Sequence, residues 1–153
     1  MIEPGRRRGM KVRDIGMKEM HCAKSSTDLS EIASMMKRHN VGVIPVCQGN
    51  HLLGVLTDRD LVISCLAADM PAKGCKAREY MTSNPVTVAP ETDLEEAARI
   101  MGREQIHRLP VIEADKLVGM VSLGDIALAL IGNDKLIAET LRKVSTPTHA
   151  VPV

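Results

Sequence analysis

The chain has 153 residues, with 20 Lys and Arg against 19 Asp and Glu and a formal net charge of +1. That balance supplies no global field to attract nucleic acid or an anionic membrane surface. With no Trp, no Phe and the single Tyr80, the chain lacks aromatic platforms for stacking single-stranded bases, and no apolar run approaches the ~20 residues that span a bilayer.

The N-terminal stretch MIEPGRRRGM holds a basic cluster, Arg6-Arg7-Arg8, with no apolar run behind it. It reads as a solvated arm over 1–10, not a secretory signal, and the protein as cytoplasmic. From residue 11 the chain repeats itself. Shifted by 65 positions, STDLSEIASMMKRHNVGVIPV (26–46) falls on ETDLEEAARIMGREQIHRLPV (91–111), and Lys11-Val12-Arg13-Asp14 falls on Lys76-Ala77-Arg78-Glu79. No gap is needed from 11 to 61, so the chain is two copies of one unit. The expected organisation is copy one over 11–66, a Pro- and Gly-containing linker over 67–75, copy two over 76–132, and a C-terminal helix with a tail over 133–153.

In copy one the spacing predicts a helix from Asp28 to about His39, strands near Val43–Cys47 and Leu52–Leu56, and a helix from Asp58 to about Leu66. In copy two, Pro85-Val86-Thr87-Val88 reads as a short strand. Asp93 then caps a helix, with Glu96 completing a capping box. Leu94, Ala97, Ala98 and Met101 form one apolar helical face. Arg108–Ile112 and Lys116–Val121 read as hairpinned strands about an Ala114-Asp115 turn. Ser122 caps a last helix that runs from Leu123 to about Ile131. The order is β-α-β-β-α, twice. The expected fold class is α/β, in the α+β sense, with the two repeats packed about a pseudo-twofold axis. Each copy alone is too small to bury a good core, so the pair is the expected folding unit.

One heptad stands in both copies: GVLTDRD (54–60) and GMVSLGD (119–125). It has two readings. In one, Thr57 and Ser122 are helix N-caps, Asp60 and Asp125 complete capping boxes, and Gly54 and Gly119 mark a bulge or a close backbone approach. In the other, the same strand-to-helix corner holds a nucleotide. The Thr or Ser hydroxyl donates to a phosphate, the Asp accepts from a ribose diol, and the Gly admits the ligand to the backbone.

These features together resemble tandem cystathionine-β-synthase (CBS) domains, the pairs known as Bateman modules. The resemblance rests on TDLSEIA and TDLEEAA, HRLPV, GVLTDRDL and GMVSLGDI within the gapless repeat, and covers about residues 10 to 130. It implies a stand-alone regulatory module for adenosine-containing ligands (AMP, ADP, ATP, NAD or S-adenosylmethionine), bound in a cleft between the copies. Two modules often pair, which implies a homodimer. The phosphate and ribose roles fall on Thr57 and Asp60, and on Ser122 and Asp125.

The copies differ beside the motif. Copy two reads His107-Arg108-Leu109-Pro110, where copy one has Gly42-Val43-Ile44-Pro45. In nucleotide-binding members basic residues just before this Pro reach the phosphates, a role that falls on His107 and Arg108. Copy one instead carries Asp58-Arg59 inside its heptad. Arg59 could assist a phosphate and Asp58 would oppose one. The expected main site is therefore the one around Ser122 and Asp125. Val86, Thr87 and Leu109 are candidate walls for the base, with His21, Cys22 and Ile44 as counterparts.

Cys22 and Cys47 lie on segments that can neighbour each other in a β-α-β unit, so a disulfide between them is possible. No CxxC pair or zinc-finger spacing is present, and no metal is expected. The chain also has no Gly-x-Ser-x-Gly, P-loop or HExxH, which argues against an enzyme. The expected function is a nucleotide sensor that signals to a separate protein partner. The alternative is an interaction or stress-response scaffold without ligand, one that contacts nucleic acid through its basic arm.

Overall fold

The computed structural model describes residues 9–15 and 20–147; the Arg6-Arg7-Arg8 arm and the end of the tail lie outside them. The chain divides into two compact units. Among the described residues, one unit holds 20–85 and 114–117 and the second holds 9–15, 86–113 and 118–147. The architecture is mixed helix and strand, with two small antiparallel sheets.

The unit built on copy one starts with α1 (Leu29–His39), which buries Leu29, Ile32 and Met36. Strands β1 (Val43–Gln48) and β2 (His51–Thr57) pair antiparallel, with Val43 opposite Thr57 and a register shift between Val46 and Cys47. Helix α2 (Asp58–Leu61) continues as a π-helical turn, Val62–Leu66, closed by the Ala67 N–H donating to the Val62 carbonyl at 2.8 Å. The single helix expected from Asp58 to Leu66 is thus two turns of different pitch. After it come α3 (Ala77–Tyr80) and the two-residue β3 (Thr82–Ser83), which adds to the free edge of β2 with Gly54 opposite Ser83. The core is Leu29, Ile32, Ile44, Val46, Leu56 and Ala77 with Cys65 and Cys75.

The unit built on copy two contains a 3-10 turn, Val12–Ile15, then α4 (Leu94–Glu104), β4 (Arg108–Glu113), β5 (Lys116–Ser122), α5 (Leu123–Ala129) and α6 (Asp134–Ser145). Both residues of the β4–β5 turn have positive φ, 49° at Ala114 and 62° at Asp115, the backbone of a two-residue hairpin. The strand expected over Pro85–Val88 is reduced to one parallel bridge, Val88 to Val111. Pro85 itself has no N–H to donate, and the bridge is made by Val88, which donates to Pro110 and accepts from Ile112. Helix α6 lies along α4. Gly102 permits the approach, since a Cβ there would stand 3.2 Å from Lys143 Cδ, and the Gln105 amide donates to the carbonyls of Lys143 and Thr146.

Each unit is completed by the segment that precedes the other repeat. The Val12 N–H donates to the Thr92 carbonyl at 2.9 Å, and the Leu94 N–H donates to Met10 at 2.8 Å. Sixty-five positions on, the Ala77 N–H donates to Thr27 at 2.8 Å and the Leu29 N–H to Cys75 at 2.9 Å. Val12 and Ala77 are fully buried. Lys11 pairs with Asp93 at 2.7 Å, and Lys76 pairs with Asp28. This pairing overturns the capping box expected at Asp93 and Glu96. Asp28 and Asp93 hold the N-cap positions but make no side-chain cap bond, because each carboxylate is taken by a lysine. The first helical N–H of each helix is satisfied instead by a leader carbonyl.

Two outcomes follow from these contacts. The Lys76 ammonium, hydrogen-bonded to Asp28, holds that carboxyl below its ordinary 3.8, helped by its charge and by the Gly74 N–H and Lys73, against some desolvation. A depressed native pKa adds stability above 3.8 that is lost as pH falls through the native value. Urea unfolding of wild type and Asp28→Asn should therefore show a stability gap at pH 6 that closes below pH 3.8; a gap unchanged across that range would refute the coupling. At Gly54, a Cβ would stand 2.6 Å from the Thr82 carbonyl and 2.7 Å from Met81 Sδ. Gly54→Ala must push β3 off β2, at a cost of about 1–3 kcal/mol, read as a lower urea midpoint.

Candidate functional site

The repeated heptads form the same corner in both units. In copy one the Thr57 hydroxyl accepts from the Asp60 N–H at 3.2 Å, and the Asp60 carboxylate accepts from the Thr57 N–H at 2.8 Å. In copy two the Ser122 hydroxyl accepts from the Asp125 N–H and the Asp125 carboxylate from the Ser122 N–H, both at 3.1 Å. These are reciprocal capping boxes. All four residues are half-buried. The corner forms because an extended Thr or Ser ends each strand (φ −105° and −101°) and hands its carbonyl to the first helical turn.

The candidate residues of copy two all fall in one unit. The Leu123 N–H donates to the His107 carbonyl at 2.8 Å, which ties the start of β4 to the Ser122–Asp125 corner. His107 and Arg108 are exposed there. Among the described residues no carboxylate pairs with Arg108. Val88 bonds to Pro110 and Ile112 across the parallel bridge, so Val86 and Thr87 run beside the start of β4, both exposed. Leu109 is fully buried in the core cluster, and Pro110 and Gly119 are buried on their strands.

Copy one keeps the tether and changes its chemistry. The Asp58 N–H donates to the Gly42 carbonyl at 3.0 Å, the counterpart of the Leu123–His107 bond. The Asp58 carboxylate, however, folds back over Gly42: a Cβ at residue 42 would meet Asp58 Oδ2 at 3.1 Å. That oxygen lies beside the point where a residue-42 side chain would begin, so copy one has a glycine where copy two has His107 and sets a carboxylate next to it. Arg59 is exposed beside it. The Gly42–Asp58 pairing escaped sequence reading, although the coincidence of a Gly at 42 with an acid at 58, against His107 and Leu123, was its visible trace.

A second feature was not anticipated. A cleft of about 700 Å³ opens in the copy-two unit between Met10, the start of α4 and the α5–α6 turn. Asp93, Glu95 and Glu96 line it, with Arg99 as its one basic residue, and none of the heptad residues does. Its charge suits no phosphate. Cys22 and Cys47, the remaining candidates, are free thiols, Cys22 exposed and Cys47 buried. Among the described residues no group of three or more His, Cys, Asp or Glu could hold a metal ion, and no helix is long and apolar enough to cross a membrane.

Comparison with known proteins gives a consistent result. The CBS domain model matches residues 12–66 and again 77–132. The CBS domain-containing protein YhcV of Bacillus subtilis is 36% identical over 123 residues, which cover 80% of this chain and 87% of that one. The crystal structure of Hypoxic Response Protein I with two coordinated zinc ions is 34% identical, with a TM-score of 0.72 over 79% of this chain and 99% of that one. That of CBSX2 in complex with AMP is 26% identical, with a TM-score of 0.71 over 82% of this chain and 99% of that one. With two matched copies covering most of its length, the chain belongs to the CBS-domain family as a tandem CBS pair.

Proposed function

We propose that this CBS pair is a cytoplasmic regulatory module, not an enzyme, that binds an adenosine-containing ligand and signals to a separate protein by shifting between conformations. AMP, ADP and ATP are the first candidates, with NAD and S-adenosylmethionine behind them. The principal site is in copy two. Arg108 and His107 meet the phosphate, Ser122 and Asp125 the phosphate and ribose, and Val86 and Thr87 the base. The observation that carries this reading is the bond from the Leu123 N–H to the His107 carbonyl. It brings an exposed Arg108, without a carboxylate partner among the described residues, to the hydroxyl–carboxylate corner. The AMP-bound relative, CBSX2, supports the ligand class. Thr57 and Asp60 form the weaker site, with Arg59 in favour of a phosphate and Asp58 against it.

A second reading has its own observation. The hydroxyl and carboxylate of both heptads are already engaged in reciprocal caps, which suits a scaffold that binds no ligand and acts through its surfaces.

Calorimetric titration with the five ligands separates the two. The sensor reading expects saturable binding of one ligand, weakened about 10- to 100-fold in Arg108→Ala, the loss of a charge-assisted contact. Asp125→Ala should abolish it, and the lost cap should cost ~1 kcal/mol of stability. Asp58→Ala should leave binding intact or strengthen it. Heat-free titrations with all five would leave the scaffold, and loss of binding in Asp60→Ala with Asp125→Ala unaffected would reverse the ranking of the copies.

The same module is proposed as a homodimer. Ile63 and Leu66, 53% and 76% exposed, and Leu128 and Ile131, each 73% exposed, occupy equivalent positions on the last helical turns of the two copies. Apolar side chains this open, at the same place in both repeats, fit a self-complementary interface. Sedimentation should give about twice 16.6 kDa, falling to the monomer in a Leu66→Glu, Ile131→Glu double variant. A monomeric wild type would refute the assignment.

A further inference from the structure

Cys22 and Cys47 are set apart from the other two cysteines. Cys65 donates to the Met70 carbonyl at 3.2 Å, and Cys75 accepts from the Tyr80 hydroxyl at 3.5 Å; both are buried. Cys22 is exposed and Cys47 is buried, on two segments that the backbone pairs. The backbone holds them there. Ala23 bridges Val46, donating to the Pro45 carbonyl at 2.9 Å and accepting from the Cys47 N–H at 2.9 Å. A register shift in the β1–β2 pairing falls between Val46 and Cys47, next to that bridge. On the other side of Cys22, the His21 ring stacks on His39 at the end of α1, with centroids 3.4 Å apart and planes 9° from parallel. The segment that presents Cys22 is therefore fastened to β1 and to α1.

We propose that Cys22 and Cys47 are a peroxide-responsive dithiol, in which Cys22 is the attacking sulfur and Cys47 the resolving one. The roles follow from exposure: a hydroperoxide reaches Cys22 from solvent, whereas Cys47 is buried. The hydrogen bond from Cys47 adds to this. It stabilises the Cys22 thiolate more than partial desolvation opposes it, lowering that thiol to about 7, while Cys47, as donor, is pushed up. The thiolate is the reactive form.

The chemistry balances with the hydroperoxide as oxidant. The Cys22 thiolate attacks the O–O bond. The distal oxygen becomes Cys22–SOH, and the other leaves as an alkoxide or hydroxide that takes a proton from water. The Cys47 sulfur then displaces hydroxide from Cys22–SOH. The thiol proton of Cys47 leaves with that hydroxide as water, and the S–S bond forms. Two electrons pass from the two sulfurs to the peroxide. Forming the bond brings the two sulfurs to ~2.0 Å. This inference does not rest on the nucleotide reading.

The test uses reduced, full-length protein freed of reductant and treated with a small excess of hydrogen peroxide. Titratable thiols on the denatured protein should fall from the four of the sequence to two. Peptide mapping should recover a Cys22–Cys47 link within one chain, and dithiothreitol should restore all four. Cys22→Ser, at an exposed position, should keep its remaining three thiols through the same treatment, whereas Cys47→Ser should accumulate a dimedone-trappable sulfenic acid at Cys22. The rate should rise through about pH 7. A count that stays at four, a link to Cys65 or Cys75, or only interchain dimers would overturn the proposal.

Discussion

The structure depends on a clasp used twice. A lysine and the residue after it, Lys11-Val12 or Lys76-Ala77, dock against the Thr-Asp-Leu that opens a helix of the other repeat. The ion pairs are the conspicuous part of this clasp and the lesser part of its energy. Lys11 and Asp93 are 35% and 54% exposed, and pairs so open to water contribute little. The larger contribution comes beneath them. Val12 is fully buried, worth about 1.5–3 kcal/mol for a side chain of that size, and the backbone bonds around it satisfy helix N–H groups that a capping side chain would otherwise serve. The lysine acts chiefly as a register pin. It occupies the Asp carboxylate, so neither Asp28 nor Asp93 is left to cap its own helix, and the leader carbonyl becomes necessary.

That exchange explains why two repeats are needed. A repeat without the other's leader would begin its first helix with an unsatisfied N–H and an open core position where Val12 or Ala77 now sits. The unit that folds is therefore not the unit that repeats. Each takes most of its core from one copy and its closure from the segment before the other.

The legibility of this arrangement in the sequence varied with the range of the interaction. Helices α1 and α4, the hairpins, and the Thr57 and Ser122 corners were readable because periodicity and capping act within a few residues. The Pro85–Val88 strand misled: β-branched residues suggested a ladder where Val88 makes one bridge. The Asp93 box misled for a different reason. The local pattern was correct and a lysine 82 residues away outcompeted it. The register match of Lys11 with Lys76 was visible, but not that each would act on the opposite repeat, since topology is not written in spacing. In the site, the contrast of His107-Arg108 with Gly42-Val43 was plain, whereas the fold-back of Asp58 over Gly42 needed coordinates.

Duplication followed by divergence left the two corners with the same backbone and different charge. The cap, the tether from helix to strand and the half-buried hydroxyl–carboxylate pair are retained in both copies, because they hold a strand-to-helix junction together whether or not anything binds. What is free to change is the residue the tether carries, its neighbour on the strand and the first residue of the helix. Copy two places His107, Arg108 and Leu123 there; copy one places Gly42, Val43 and Asp58. A structural motif that serves folding thus supplies two equivalent frames, and the side chains beside them differ in charge at little cost to the fold. The capping boxes are therefore compatible with either function. They fix the corner, and the two copies differ in the charges set beside it.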